Sequence, residues 1–520
     1  MKRAIAGALP RLLFLAAAVA AVSPVILACL YPAGPDFLHV RFNSWFVFVL
    51  GALTLALDGV AGYLWWRLRR TDRALTDLAA QPLRGDIPSI AGHKHLDRAE
   101  FLSLLQILFS HPSYAKGSAA APADVKYVQV EPLPGGHGGS ATVLARLRRE
   151  QSSAPLPQSL VVKLGQKREM AGEHDKFQTY VRWHLPGAAR FVRYAEWEDF
   201  AAIAYEFVGL DPDHDIQSLL QFYEGHTPAE VSELIGEVYG HLARAWYRSG
   251  RTEPTDLYQE YDLLRVKRER IIEHVERLVD EDDRYRRNFT VARQELQRSL
   301  RPGFCPALDI PWRDPVAFLR TWPKQDLTIP IHRSTVHGDL HARNVLVEIE
   351  GGGQRHAWFI DFSHTGNGLS QDRTREAERD GTLPGPDAGH TLRDFCRLEA
   401  DVKFVLTRLC DGDDLGLAVA FERELIRRGM ALPEWQVALP SVEALADERF
   451  KKAWHAIREI RRRASTYLVN VGDLRPYHLS LLHATLPIVY YHRDQFDSEA
   501  CERQQKRCAL LSAGMLCSQL

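Results

Sequence analysis

Residues 335 to 347 read TVHGDLHARNVLV, and residues 358 to 362 read WFIDF. A glycine inside HGDLH, followed by the apolar run VLVEIE, makes a poor helix and predicts a loop entering a strand. Glycines 351 to 353 then turn the chain back into AWFIDF, so two short strands are expected to bring Asp361 beside Asn344. His337, Asp339, His341 and Asn344 therefore crowd one loop, opposite an acid carried behind three apolar residues. A metal site, a proton-transfer site and a plain polar loop are the readings such a cluster admits.

Zinc on His337, His341 and Asp361 fails, because histidines at i, i+4 bind zinc from a helix and this stretch is not one. A carboxylate and an amide oxygen are hard ligands that suit Mg²⁺, with Asp361 and Asn344 as the pair. Asp339 is not needed for the metal and is free to orient or deprotonate a hydroxyl.

Upstream, the pattern from Val125 is strand-like: VKYVQVEPLP, the cluster GGHGGS, ATVLARLRRE, and SLVVKLG at 159 to 165. Gly136, Gly138, Gly139 and Ser140 would let backbone N–H groups approach a polyphosphate, although the same cluster also serves as a hairpin turn. Lys163 sits inside LVVKLG, where its ammonium needs a partner. On the helical pattern that follows, Glu173, Phe177 and Tyr180 share one face, which makes Glu173 the expected partner of Lys163 and Glu169 the fallback. FAAIAYEFVGLDP, at 200 to 212, is a further strand, after which helical patterns dominate through 229 to 300. A nucleotide base would lie at that change, against the backbone of Glu206, Phe207 and Val208.

The first 74 residues differ from the rest. Residues 12 to 31 carry no charge and residues 45 to 66 carry only Asp58. At 1.5 Å per residue each is long enough for a hydrocarbon core of roughly 30 Å. Lys2, Arg3 and Arg11 precede the first span, and Arg67, Arg69, Arg70 and Arg73 follow the second, so a hairpin in the bilayer with both chain ends in the cytoplasm is expected. A cleaved signal peptide is the alternative for the first span. The inferred location is the cell's inner membrane, with the remaining chain facing the cytoplasm. Residues 75 to 124 form a tether, with leucines at helical spacing over 95 to 111 and linker composition in AKGSAAAPAD.

Lys and Arg total 65 against 66 Asp and Glu, a formal charge of -1, so nothing points to nucleic acid as a partner. Seven scattered cysteines without C-x-x-C pairs favour a reduced compartment.

HGDLHARN followed by FIDF resembles the catalytic and metal loops of the aminoglycoside phosphotransferase and choline kinase-like family, relatives of protein kinases. The resemblance covers about residues 125 to 410. It implies an α+β, two-lobed kinase-like fold: a small antiparallel-sheet lobe at 125 to 209 and a large helical lobe at 210 to 520, behind the membrane hairpin. It also implies Asp339 as catalytic base, Lys163 on the α/β-phosphates with Glu173 as its partner, and Asn344 and Asp361 on Mg²⁺. His337 would be a structural brace, and Asp394 in GHTLRDF resembles the acid that supports the catalytic loop. The glycine turn departs from the family pattern, and residues 366 to 390 form a long polar insert. The expected activity is phosphoryl transfer from ATP with Mg²⁺ to the hydroxyl of a small molecule. The loop sequences also resemble a bacterial branch found in signalling and conflict systems, so a nucleotide-binding sensor or scaffold with a signalling partner is the alternative. A protein-substrate kinase fits less well, because no A-P-E segment follows.

Overall fold

The computed structural model describes residues 83–84, 104, 108, 125–132, 141–149, 159–185, 187–188, 190–206, 215–262, 267–280, 303–305, 310–322, 327–350, 353–368, 388–429 and 443–520. The chain divides into two units, Met1–Arg73 and Ala74–Leu520. The first unit, with both apolar spans, lies outside the described residues. Among the described residues no helix is long and apolar enough to cross a membrane.

The second unit begins with a six-stranded sheet in the order β1-β2-β3-β4-β6-β5. Its strands are β1 (Leu83–Arg84), β2 (Val125–Pro132), β3 (Ala141–Arg149), β4 (Ser159–Gln166), β5 (Arg190–Trp197) and β6 (Phe200–Glu206). β1 pairs parallel with β2, and every other neighbour is antiparallel. β4 is central, and Leu160, Val161, Val162 and Leu164 are all buried, so Lys163 lies on an inner strand and not at a sheet edge facing water. Helix α1 (Lys167–Lys176) follows β4 directly and passes into a π-helical turn, Phe177–Val181. Glu173 and Phe177, one turn apart, are both buried.

Two smaller sheets flank the HGDLHARN loop in sequence. β7 (Asp215–Ser218), β12 (Val345–Ile349) and β13 (Arg355–Phe359) form one, with β12 in the middle. The other comprises β8 (Arg251–Asp256), β11 (Thr328–Ser334) and β14 (Gly389–His390), with β11 in the middle. A two-stranded pair, β9 (Gly303–Cys305) with β10 (Ile310–Trp312), precedes β11. β8 corrects the expectation of helix throughout 229 to 300. RTEPTD has no apolar stripe, and Pro254 is tolerated because β8 is an edge strand here.

The remaining described mass is helical. α2 (Pro228–Ala245) starts with a Thr227/Glu230 capping box and a first-turn proline, and α3 (Arg268–Asp280) follows. α4 (Leu392–Asp401) is the central helix, with nine of its residues buried. Around it lie α5 (Gly412–Arg428), α6 (Glu448–Ala464), α7 (Arg475–Thr485) and α8 (Glu499–Cys517). A helix buried on all sides must pair its charges internally. Glu399 takes two bonds from Arg461, at 2.6 and 3.0 Å, and one from the Tyr477 hydroxyl, while Asp401 accepts the backbone N–H of Ala342 at 2.8 Å. Neither acid faces solvent.

Cys410 and Cys501 form a disulfide across a sequence separation of 91, a pair at odds with the reduced compartment expected from the scattered cysteines. Local spacing carries no signal for such a pair.

Candidate active site

Lys163 is placed by the centre of the small sheet and Glu173 by the inner face of α1, and the two meet at 2.7 Å. The Tyr205 hydroxyl donates to the other Glu173 oxygen at 3.0 Å. Lys163 also reaches Asp361 at 2.8 Å. Burial works against the ammonium, but Asp361 and Glu173 outweigh it and hold Lys163 charged. Burial also lifts the Glu173 carboxyl above its ordinary value against the pull of Lys163. Burial tends to raise Asp361 as well, yet Lys163 and the Ser363 hydroxyl keep that carboxyl well below the usual range. The two carboxyls move in opposite directions because one ammonium serves both, and Asp361 is the more exposed of the pair. An ammonium has three N–H donors, so one remains to meet an anion.

Asp361 has φ 63°, a left-handed conformation that non-glycine residues rarely adopt. Phe362 fixes that turn from behind. It is fully buried, with its ring centre 5.5 Å from Phe177 and 5.6 Å from His337. Lys176 ties α1 to the same segment by donating to the Ser363 carbonyl at 3.0 Å.

Asp394 braces the HGDLHARN loop from α4. Its two oxygens accept the backbone N–H groups of His337 and Gly338, each at 2.8 Å, and one also accepts the Tyr247 hydroxyl at 2.7 Å. Gly338, at φ +84°, cannot be replaced without strain, because a Cβ there would lie 2.5 Å from the His364 carbonyl oxygen. His337 bonds the Ile360 carbonyl at 3.1 Å, joining the two loops.

Asp339 is held by Arg397, whose Nε donates to it at 2.8 Å. Burial would raise the Asp339 carboxyl, but Arg397, with His341 and His364 behind it, holds it well below the usual range. His341 lies 3.6 Å from the other Asp339 oxygen. Its Nδ1 accepts the Arg343 N–H at 3.2 Å, so the proton sits on Nε2, facing Asp339. Burial pushes His364 down to about 4, against the pull of Asp339, which leaves it neutral at pH 7.

Asn344 extends the β12–β13 ladder, with its carbonyl accepting from Ile360 N at 3.1 Å. Its side-chain amide donates to the Asp339 carbonyl at 2.9 Å, which leaves the amide oxygen for a cation. Asp361 commits Oδ1 to Lys163 and Ser363, which leaves Oδ2. Two hard oxygens at adjoining ends of one ladder fit Mg²⁺. Among the described residues no cluster of three or more His, Cys, Asp or Glu side chains could hold a metal ion, so a cation here would draw its other ligands from water or substrate.

Lys163, Glu173, Asp339, Asn344 and Asp361 are thus brought together. Gly136, Gly138, Gly139, Ser140, Phe207 and Val208 lie outside the described residues. Glu206 ends β6, paired with Leu160 and Arg190. Sequence reasoning missed Arg397, Tyr205 and Lys176. Arg397 stands one turn after Asp394 on α4, and that helical spacing was the available signal.

Ternary complex associated domain 9 matches residues 126–303, and the lipopolysaccharide kinase (Kdo/WaaP) family matches residues 330–380. No curated protein matches the chain. Among solved structures, a Ralstonia eutropha protein assigned to the aminoglycoside phosphotransferases is 13% identical over 75% of this chain and 92% of its own, at a TM-score of 0.31. A thermostable mutant of the aminoglycoside phosphotransferase APH(4)-Ia in its apo form is 13% identical over 77% and 98%, also at 0.31. A variant of that mutant in complex with AMP-PNP and hygromycin B is 12% identical over 74% and 95%, again at 0.31. The lipopolysaccharide kinase match falls on the loop that Asp394 braces and on the turn that carries Asp361.

Proposed function

We propose that the chain transfers the γ-phosphoryl group of ATP to a hydroxyl of a small-molecule acceptor, from a catalytic unit tethered to the inner membrane by residues 12–31 and 45–66 and facing the cytoplasm. The observation that carries this reading is the shared ammonium of Lys163, 2.7 Å from Glu173 and 2.8 Å from Asp361. It joins the small lobe to the metal loop and keeps one donor for a phosphate oxygen.

The acceptor oxygen attacks the γ-phosphorus, the new O–P bond forms as the bond to the β–γ bridging oxygen breaks, and ADP leaves with that electron pair. The hydroxyl proton passes to the Asp339 carboxylate. Arg397 keeps Asp339 ionised and aimed, so its contribution is mainly orientation of the hydroxyl. Mg²⁺, held by Asn344 and Asp361, would supply charge neutralisation for the phosphates. Lys163 alone cannot, since it is already outnumbered by Glu173 and Asp361. Incubation of the full-length chain with γ-labelled ATP and a panel of alcohols tests the reading. Label is expected on a small molecule, and label only on protein, or only as free phosphate, would refute it.

A second reading has one observation behind it, the match to ternary complex associated domain 9 over residues 126–303, the small lobe and the first part of the helical lobe. In this reading the unit binds nucleotide and relays that state to a signalling partner. Tight nucleotide binding with no acceptor turnover would favour it.

A further inference from the structure

Around the base, donors outnumber acceptors. Arg397 uses Nε on Asp339, and its Nη1 is buried with no hydrogen-bond partner. Arg393, on the same helix, gives Nη2 to Glu260 while its Nε is buried without a partner. His483 Nε2 is in the same condition. These groups form one cluster: the Arg393 guanidinium and the His483 ring both lie against the Tyr261 ring, at 5.0 and 5.1 Å, and the Tyr490 and Tyr491 rings beside Lys267 and Arg397 stand 6.3 Å apart. Lys267 and Asp339 both act electrostatically on His364. The Lys267 ammonium stands 5.8 Å from the Tyr490 ring, and the Arg397 guanidinium 5.7 Å from the Tyr491 ring. Among the described residues Lys267 has no carboxylate partner.

The acids in reach are already engaged. Asp339 faces Arg397, Asp401 accepts the Ala342 N–H, and Glu260 is shared by Arg333, Arg393 and the His390 N–H. Buried N–H groups left without acceptors are costly, and a ligand oxygen satisfies them. Arginine in particular is suited to carboxylate and phosphate oxygens.

We propose that the acceptor is an alcohol that also carries an oxyanion, phosphate or carboxylate, and that Arg397, Lys267 and His483 receive this group while its hydroxyl meets Asp339. The proposal rests on Asp339 acting as the base. It makes the acceptor opposite in charge to an amino sugar or a choline.

The test uses the full-length chain, Mg-ATP, and matched acceptors: glucose 6-phosphate and gluconate against glucose, glycerol 3-phosphate against glycerol, and the cations choline and kanamycin. At least one anionic acceptor should exceed its neutral match about tenfold in kcat/KM, a difference of about 1.4 kcal/mol. The phosphate and carboxylate arms distinguish the two oxyanions. Lys267→Gln should raise KM for that acceptor about tenfold with kcat and AMP-PNP affinity unchanged, and Lys267→Arg should restore it. Preference for a cationic or neutral acceptor overturns the proposal, as does an equal effect of Lys267→Gln on all acceptors. If AMP-PNP binds but choline or kanamycin is preferred, only this inference fails. If AMP-PNP does not bind at all, the phosphotransfer reading fails with it.

Discussion

Replacing Glu173 by glutamine tests how the small lobe aims its lysine. Glu173 accepts from Lys163 at 2.7 Å and from the Tyr205 hydroxyl at 3.0 Å, all three groups being buried. Stranding a buried charge typically costs about 3 to 5 kcal/mol, but Lys163 is not stranded, because Asp361 stays 2.8 Å away. A glutamine keeps an oxygen for Lys163, and the Tyr205 hydroxyl can turn to accept from its amide. The net loss is one charge-assisted bond, about 1.5 to 3 kcal/mol. Glu173→Ala removes both acceptors and opens a cavity, so about 4 kcal/mol is expected. In both variants Asp361 becomes the sole anion paired with Lys163 and draws the ammonium away from the phosphates, so AMP-PNP affinity should fall about tenfold although Glu173 touches no nucleotide. Urea unfolding followed by tryptophan fluorescence gives the stabilities, and calorimetric titration gives the affinity. Wild-type affinity in Glu173→Gln, or equal stability of the two variants, would refute the reasoning.

Asp361→Asn should remove most of the Mg²⁺ dependence of AMP-PNP binding, seen by titrating nucleotide with and without the metal. Arg397→Gln removes the strongest influence holding the Asp339 carboxyl down and leaves burial opposed only by His341 and His364. A depressed carboxyl contributes stability at pH above its ordinary value and loses it as pH falls through the folded value, so the variant should lose this contribution. The acid limb of its kcat/KM profile should move up by at least about one pH unit. Asp394→Asn leaves one of the two loop N–H groups facing an amide donor, and a loss of about 2 kcal/mol in a urea melt is expected. Reducing the Cys410–Cys501 bond, whose partners are 91 residues apart, should lower stability by up to about 4 to 5 kcal/mol on the loop-entropy account, measured by the same melt with and without reductant.

Much of the site was legible because its chemistry is local. HGDLHARN and FIDF are contiguous, the glycine turn between their strands is explicit, and the periodicity of α1 pointed to Glu173 rather than Glu169. The antiparallel start of the small sheet could be read for the same reason, since each strand announces itself by its own apolar run. What stayed hidden depends on groups meeting across the fold. Glu399 and Asp401 are buried because other helices cover α4 on every side, which no local pattern announces. Cys410 and Cys501 carry no local signal for each other, and β8 is polar because only its edge position makes it a strand. Arg397 was missed because a base was sought with a free carboxylate, whereas the fold supplies one already paired.

The central claim is that Asp339 serves the acceptor hydroxyl and not the nucleotide. The measurement that tests it most directly is a paired one on Asp339→Asn: AMP-PNP affinity in the presence of Mg²⁺, and the rate of label transfer from γ-labelled ATP to the acceptor that the wild type uses best. Affinity within about twofold of wild type, with transfer slowed by roughly a hundredfold or more, is the expected result. Transfer at the wild-type rate, or loss of nucleotide affinity equal to that of Asp361→Asn, would contradict it.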